Sequence, residues 1–432
     1  VATDLERYVQ DTMVCDTHEH TMTNEALVEE KPDVIREIFQ NYVQADFVSA
    51  CRSPQLVNKF LDLQDQDVGR RFASVADVWE AVRYTGYGEA SRWIAREFFD
   101  IEEISAEALA AAQEKLPEKW PEDDRRRIFE EVAKIDHAQI DEHKVKYSRP
   151  DSADPQYFMY DLSWREFCQC SWEPAAIHEK SGVEVKSLET LREAMGKLFA
   201  EYAPTAIGVK TQHAYSRTLL WEKRTDSEAA AALDSYLADP EGCPEETRLC
   251  LGDWGWAWGV ELSIEHNLPF KMHTGYYAGN NSMITDRIGC GRACPLYREY
   301  PKARFVLMHT SYPYQRELVA IAKHHMNVWA EMSWAWSMNP LDCANFVRTF
   351  LHGAPISKLL AFGGDCGRPR ASAAYAAQMR AGLTKALQAE IDDGYITEEQ
   401  AMDVARRVMH DNQYEVFDVE GTRANIREYA AK

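Results

Sequence analysis

The 432-residue sequence has no apolar run approaching the roughly 18–20 residues that a membrane-spanning helix requires. It also lacks an excess of basic charge. Lys and Arg number 48 against 70 Asp and Glu, a formal net charge of −22 at pH 7. Such a chain repels phosphate backbones and anionic bilayer surfaces, so neither a nucleic-acid nor a membrane partner is expected. Val1-Ala2-Thr3-Asp4-Leu5-Glu6-Arg7 carries no basic and apolar signal pattern. The ten cysteines form no paired CxxC units, and Cys290-x-x-x-Cys294 has no second pair with which to build a zinc site. They read as reduced thiols, and the expected setting is cytoplasmic. No solenoid repeat and no Gly/Ser linker divide the chain, so a single domain over 1–432 is expected.

What is present is a 45% hydrophobic chain, ample for a large core, with a recurring pattern. Short apolar runs alternate with polar turns and helical stretches. The runs are Met13–His18, Tyr157–Leu162, Ala206–Lys210, Pro269–His273, Ala303–His309, Asn327–Glu331 and Leu359–Asp365. Strands alternating with helices predict an α/β fold with a parallel sheet covered by helices. The stretch from about 89 to 135 is rich in Ala, Glu, Lys and Arg, without a strand pattern. It predicts a helical insertion near the mouth of the fold, with an ordinary outer helix pair as the alternative. Asp136-His137-Ala138-Gln139-Ile140-Asp141 is a polar cluster near a possible strand that could supply extra oxygen and nitrogen ligands near the pocket, with a helix end in the insertion the slightly favoured alternative.

Chemistry-bearing residues collect where the apolar runs stop. Asp16-Thr17-His18-Glu19-His20 ends the first run, and alternate strand residues share a face, so His18 and His20 project together. Imidazole ligates zinc, iron and nickel. A His-x-His pair is weak evidence alone, but His273, His309 and Asp365 end later runs in the same manner. Barrel enzymes carry catalytic groups at the C-terminal ends of their strands. Glu19 lies between the two histidines on the opposite face and reads as structural. Tyr215 and Arg217 follow the Lys210 run, and Arg217 suits a bidentate carboxylate contact. Arg368 and Trp334, each just past a run, complete the candidate substrate contacts. The tryptophans at 254, 256 and 258 read as packing.

The order His-x-His, Lys, His, His, Asp resembles the amidohydrolase superfamily, over most of the chain from Asp16 to about Phe417. Asn412 to Phe417, Tyr42 to Asp46 and Trp79 to Tyr87 resemble its amidohydrolase 2 and uronate-isomerase-like branch. The resemblance implies a distorted (β/α)8 TIM barrel. It implies one or two divalent ions (Zn, Mn or Fe) on His18, His20, His273 and Asp365, and no organic cofactor. His309 would polarise substrate or bind a second ion, and Lys210 stands where some relatives carry a bridging carbamylated lysine. Asp365 would be ligand and proton acceptor together. The implied activity is metal-dependent hydrolysis of a small carboxylate-type substrate, in a homo-oligomer. Three other readings stay open. One is an iron or manganese/iron oxygenase using the histidines with Asp46, Asp136 and Asp141. The second is a uronate-type isomerase, although that branch places an arginine two residues after the ligand aspartate and Gly367 stands there. The third is a non-catalytic barrel subunit.

Overall fold

The computed structural model describes residues 3–142, 145–150 and 152–431. Eight strands follow one another around a single sheet in chain order: β1 (Val14–Glu19), β2 (Ile135–Ile140), β3 (Phe158–Ser163), β4 (Gly208–Thr211), β5 (Phe270–Met272), β6 (Phe305–Leu307), β7 (Val328–Glu331) and β8 (Leu359–Leu360). Every neighbouring pair is parallel. The seam is closed by two backbone bonds just beyond β8, Thr17 N–H to the Phe362 carbonyl (3.1 Å) and Asp365 N–H to the His18 carbonyl (2.9 Å). This is the (β/α)8 barrel expected from the alternating runs. Its distortion lies in the short β8 and in register shifts between β1 and β2.

The strand that the sequence concealed is β2. Ile135, Ala138 and Ile140 supply the apolar residues, but His137, Gln139 and Asp141 alternate polar groups toward the barrel interior. A period-2 signal was therefore present, with the polarity of a loop. The outer helices are close to expectation. Two long outer helices run over Glu245–Glu265 and Pro369–Asp392, the second packed against the helices Asp4–Asp11 and Pro340–Gly353.

The helical insertion is larger than 89–135. Between β1 and β2 the chain is helical and strand-free from Asn24 to Val132. Six of its short helices are started by a capping side chain. Thr23, Asp33, Ser53, Asp67, Thr85 and Ser105 each accept an N–H of the first turn. The insertion has its own aromatic core, in which Phe39 packs edge-on against Phe47, Phe60 and Trp79. The part that reaches the barrel mouth precedes residue 89: Tyr42 lies 4.2 Å and Tyr87 6.5 Å, ring to ring, from Trp334.

The barrel interior is layered. Met159, Ile207, Val306 and Leu360 form an apolar floor, closed from below by Val416 and Phe417. Asn412 anchors that plug by donating from its amide to the Ile356 and Leu359 carbonyls, both at 2.8 Å. Above the floor the filling is ionic. Lys271 pairs with Asp161 at 2.5 Å, both fully buried, and donates to the Thr17 carbonyl (2.6 Å) and Gln139 Oε1 (3.0 Å). Barrel interiors usually stack branched apolar side chains at this level. An ion pair buried this deeply persists only with additional hydrogen bonds, which Thr17 and Gln139 supply.

Candidate metal centre

The residues above the ionic layer come from strand ends on all sides of the barrel. His18 Nε2 and His20 Nε2 each lie 3.2 Å from Asp365 Oδ1, and His309 Nδ1 lies 3.6 Å from Asp365 Oδ2. Nitrogens of His18 and His20 also cluster with an oxygen of Asp141, all within 4.8 Å of one another. His309 Nε2 is 2.9 Å from His273 Nδ1. Lys210 Nζ sits 3.0 Å from His18 Nε2 and 3.4 Å from Asp141 Oδ2. The strand-end residues His18, His20, Lys210, His273, His309 and Asp365 are thus brought together, with Asp141 added.

Backbone geometry fixes this cluster. Asp365 has a left-handed φ of 54°, and Gly364 beside it approaches so closely that an added Cβ would stand 1.7 Å from Glu19 Oε1. Glu19 points away from the histidines, as expected. It accepts from the Cys366 N–H (3.2 Å) and the Ser372 hydroxyl (2.7 Å), tying β1 to the segment that carries Asp365.

The donor set suits a divalent cation. His20 Nδ1–H donates to the Asp141 carbonyl at 2.6 Å, so Nε2 is the nitrogen that faces Asp365 and would bind a metal ion in exchange for its proton. Burial, then the Lys210 charge, hold His18 and His273 well below the usual imidazole range. Burial, then His273, do the same to His309. These rings are neutral, which is the ligating form. Burial also opposes a charge on His20, yet the Asp365 carboxylate lifts it to about 9. A site that holds a proton so firmly between imidazole and carboxylate offers the same field to a metal ion. Asp141 is held below the ordinary carboxylate range against its burial, by Lys210 and then His20.

The wall around the cluster is aromatic. Tyr42 donates its hydroxyl toward Asp365 Oδ1 at 3.5 Å, the Tyr215 ring lies 4.9 Å from His273, and Trp334 lies 5.4 Å from His309. Trp334 Nε1 is buried without a partner among the described residues. Tyr215 and Trp334 therefore stand where substrate contacts were expected, and Tyr42 joins them from the insertion. Trp336, by contrast, bonds the Ala361 carbonyl and serves packing.

Two expected substrate contacts are corrected. Arg217 does not face the cluster. Its guanidinium pairs with buried Asp253 at 2.5 Å and donates to the Cys168, Thr218 and Leu220 carbonyls. Arg368 is held by Glu37 (2.7 Å), Glu30 (2.6 Å) and Gln40. With Arg370, which pairs with Glu37 and Asp124, it fastens the insertion to the barrel. Of the spare carboxylates, only Asp141 joins the cluster. Asp136, the second residue of β2, binds His137, Tyr414 and Arg423, while Asp46 accepts from Thr85 in the insertion. All ten cysteines are free thiols, Cys290 and Cys294 included. No described helix is long and apolar enough to cross a membrane.

Comparison with known proteins agrees with this geometry. Residues 242–419 match the model of the Amidohydrolase family. The chain is 23% identical over 252 residues to Protein fluG of Emericella nidulans, a match covering 55% of this chain and 29% of that protein's length. The fold superposes on a uronate isomerase of Thermotoga maritima with a TM-score of 0.76, at 14% identity and 96% coverage of both chains. It also superposes on a glucuronate isomerase of Caulobacter crescentus (TM-score 0.72, 14% identity, 95% and 92% coverage). A proposed metal-dependent hydrolase of Lactobacillus casei gives 0.65 at 16% identity, with 96% and 98% coverage. Residues 242–419 are thus similar to the Amidohydrolase family, and the fold of the whole chain is that of the uronate isomerases.

Proposed function

We propose that the protein is a metal-dependent hydrolase acting on a small carboxylate-type substrate at the barrel mouth. The observation that carries this reading is the convergence of His18 and His20, both at 3.2 Å, on one oxygen of Asp365. His18, His20, His273 and Asp365 would hold the first divalent ion, with His309 and Asp141 beside it. Such an ion supplies Lewis-acid polarisation of a substrate oxygen and makes water more acidic. The protein's own groups do the rest. Asp365 takes a proton from water and returns it to the leaving group, as a carboxylate between two ring nitrogens is placed to do. His20, fixed by the Asp141 carbonyl, keeps its Nε2 aimed at that carboxylate. Tyr42, Tyr215 and Trp334 exclude bulk water, which strengthens every charge interaction inside. The unpartnered Trp334 Nε1–H is a donor for a substrate oxygen.

The isomerase reading has the fold in its favour, but the engagement of Arg368 with Glu30 and Glu37 leaves it poorly placed to bind a sugar acid. Metal-loaded protein screened against small lactones, amides and uronates distinguishes the two. Hydrolysis lost in Asp365→Asn supports the proposal. Uronate isomerisation without hydrolysis, or hydrolysis that survives Asp365→Asn, overturns it.

A further inference from the structure

Among the described residues, the run Arg125-Arg126-Arg127 contains one buried cation without a direct ion pair, with the carboxylates of Glu19, Glu25 and Asp154 acting on it from further away. Arg127 pairs with Asp124 at 2.7 Å, and Arg126 with Glu130 at 2.9 Å. The other oxygen of Asp124 is taken by Arg370. Arg125 is only 5% exposed, and none of the described residues accepts a hydrogen bond from its Nε. Its guanidinium carbon lies 3.5 Å over the Phe158 ring, a contact that positions the fork without neutralising it. Burial pushes Arg125 down to about 10, so it remains charged at neutral pH. A buried charge of this kind costs several kcal/mol unless it is compensated.

Arg125 lines a cavity of about 920 Å³ outside the cluster of metal-ligating side chains. Thr21, on the same cavity, is 3% exposed and its hydroxyl also has no partner among the described residues. Phe158, Tyr160, Tyr202 and Tyr429 supply an aromatic wall. Arg149 stacks 3.8 Å over Tyr429, and Glu142 and Glu201 also line the cavity. The cavity adjoins the metal centre in the chain: Thr21 follows His20, and Ile140 and Glu142 flank Asp141.

We propose that this cavity is a subsite for an organic carboxylate with an apolar body. The Arg125 fork takes the carboxylate oxygens, Thr21 donates to one of them, and the aromatic wall covers the body. The Arg125 fork and the Thr21 hydroxyl match a planar carboxylate, while Arg149, which stacks on Tyr429 and donates to Thr205 (3.0 Å), and Lys180 also line the cavity. The binding rests on Arg125 and Thr21 alone. Only its service to catalysis rests on the reaction proposed for the mouth.

Benzoate and inorganic phosphate, titrated calorimetrically into the full chain, test this. The expected result is saturable benzoate binding that survives Asp365→Asn, weakens at least about tenfold in Arg125→Gln and weakens severalfold in Thr21→Val. If Arg125→Gln fails to fold, Thr21→Val carries the test. Four results overturn the proposal: no saturable benzoate binding; benzoate affinity unchanged in both subsite variants; benzoate binding abolished by Asp365→Asn, which places it on the mouth cluster; or Arg125-dependent binding of phosphate in place of benzoate. Failure of the hydrolase reading leaves the binding result untouched, so the two failures are separable.

Discussion

His309 Nε2 faces His273 Nδ1 across 2.9 Å, and neither nitrogen is placed to carry a proton. His273 Nε2 lies 3.1 Å from the Tyr276 carbonyl, and His309 Nδ1 lies 3.3 Å from the Ser333 carbonyl. A carbonyl only accepts, so those outer nitrogens hold the ring protons and the inner ones present lone pairs to each other. Two lone pairs at this separation repel unless a cation lies near both. The burial that keeps both rings neutral disfavours a proton in that role, which leaves a metal ion as the natural partner.

Lys210 tests whether the site is built for one ion or two. Its ammonium is placed 3.0 Å from His18 Nε2 and 3.4 Å from Asp141, an arrangement that suits an unmodified lysine. Metal stoichiometry is therefore expected to be the same with and without added bicarbonate. Lys210→Met should bind the first ion at least as tightly, because the competing cation beside His18 is gone. A second ion that appears only with bicarbonate would show a carbamylated Lys210.

Glu331 predicts a pH slope in stability. Its Oε1 accepts from the Thr17 hydroxyl (2.9 Å) and the Ser333 N–H (2.7 Å), while Oε2 is buried without a partner. Burial raises this carboxyl from 4.5 to about 7. Between those values the folded protein keeps a proton that the unfolded chain has released. Stability is therefore highest below pH 4.5 for this group and falls as pH rises to 7, by about 3 kcal/mol. Glu19, also raised to about 7, adds a slope of the same sign. Urea denaturation across this window should show Glu331→Gln with a visibly shallower slope than wild type. An unchanged slope would contradict the assignment.

Arg217 is predicted to act on stability. Its removal leaves Asp253 buried with Arg224 as the remaining partner, at 3.1 Å. Arg217→Met should cost roughly 3 kcal/mol in urea denaturation while leaving metal content unchanged. Near-wild-type stability with weakened substrate binding would restore it to the site.

The barrel and its cluster were largely legible because both signals are local. A short apolar run is visible without knowing what packs against it; seven strands were found in this way, and four of the runs stop at a histidine or aspartate. The eighth, β2, was not, because its inward residues His137, Gln139 and Asp141 serve the ionic interior and mimic a loop. With it went the placement of Asp141. Arg217 and Arg368 were misread for a different reason. An arginine just past a strand looks the same whether its partner is a substrate or a buried carboxylate, and Asp253 and Glu37 lie 36 and 331 residues away in the chain. The insertion was placed too late because its early helices are brief, capped segments without long helical periodicity.

The most direct test is the metal content of protein purified without added metal, compared with His18→Ala and Asp365→Asn, each checked for retained fold by circular dichroism. About one or more divalent ions per chain are expected in wild type and almost none in either variant. Wild-type protein that stays metal-free after reloading, or folded variants that keep their full metal content, would contradict it.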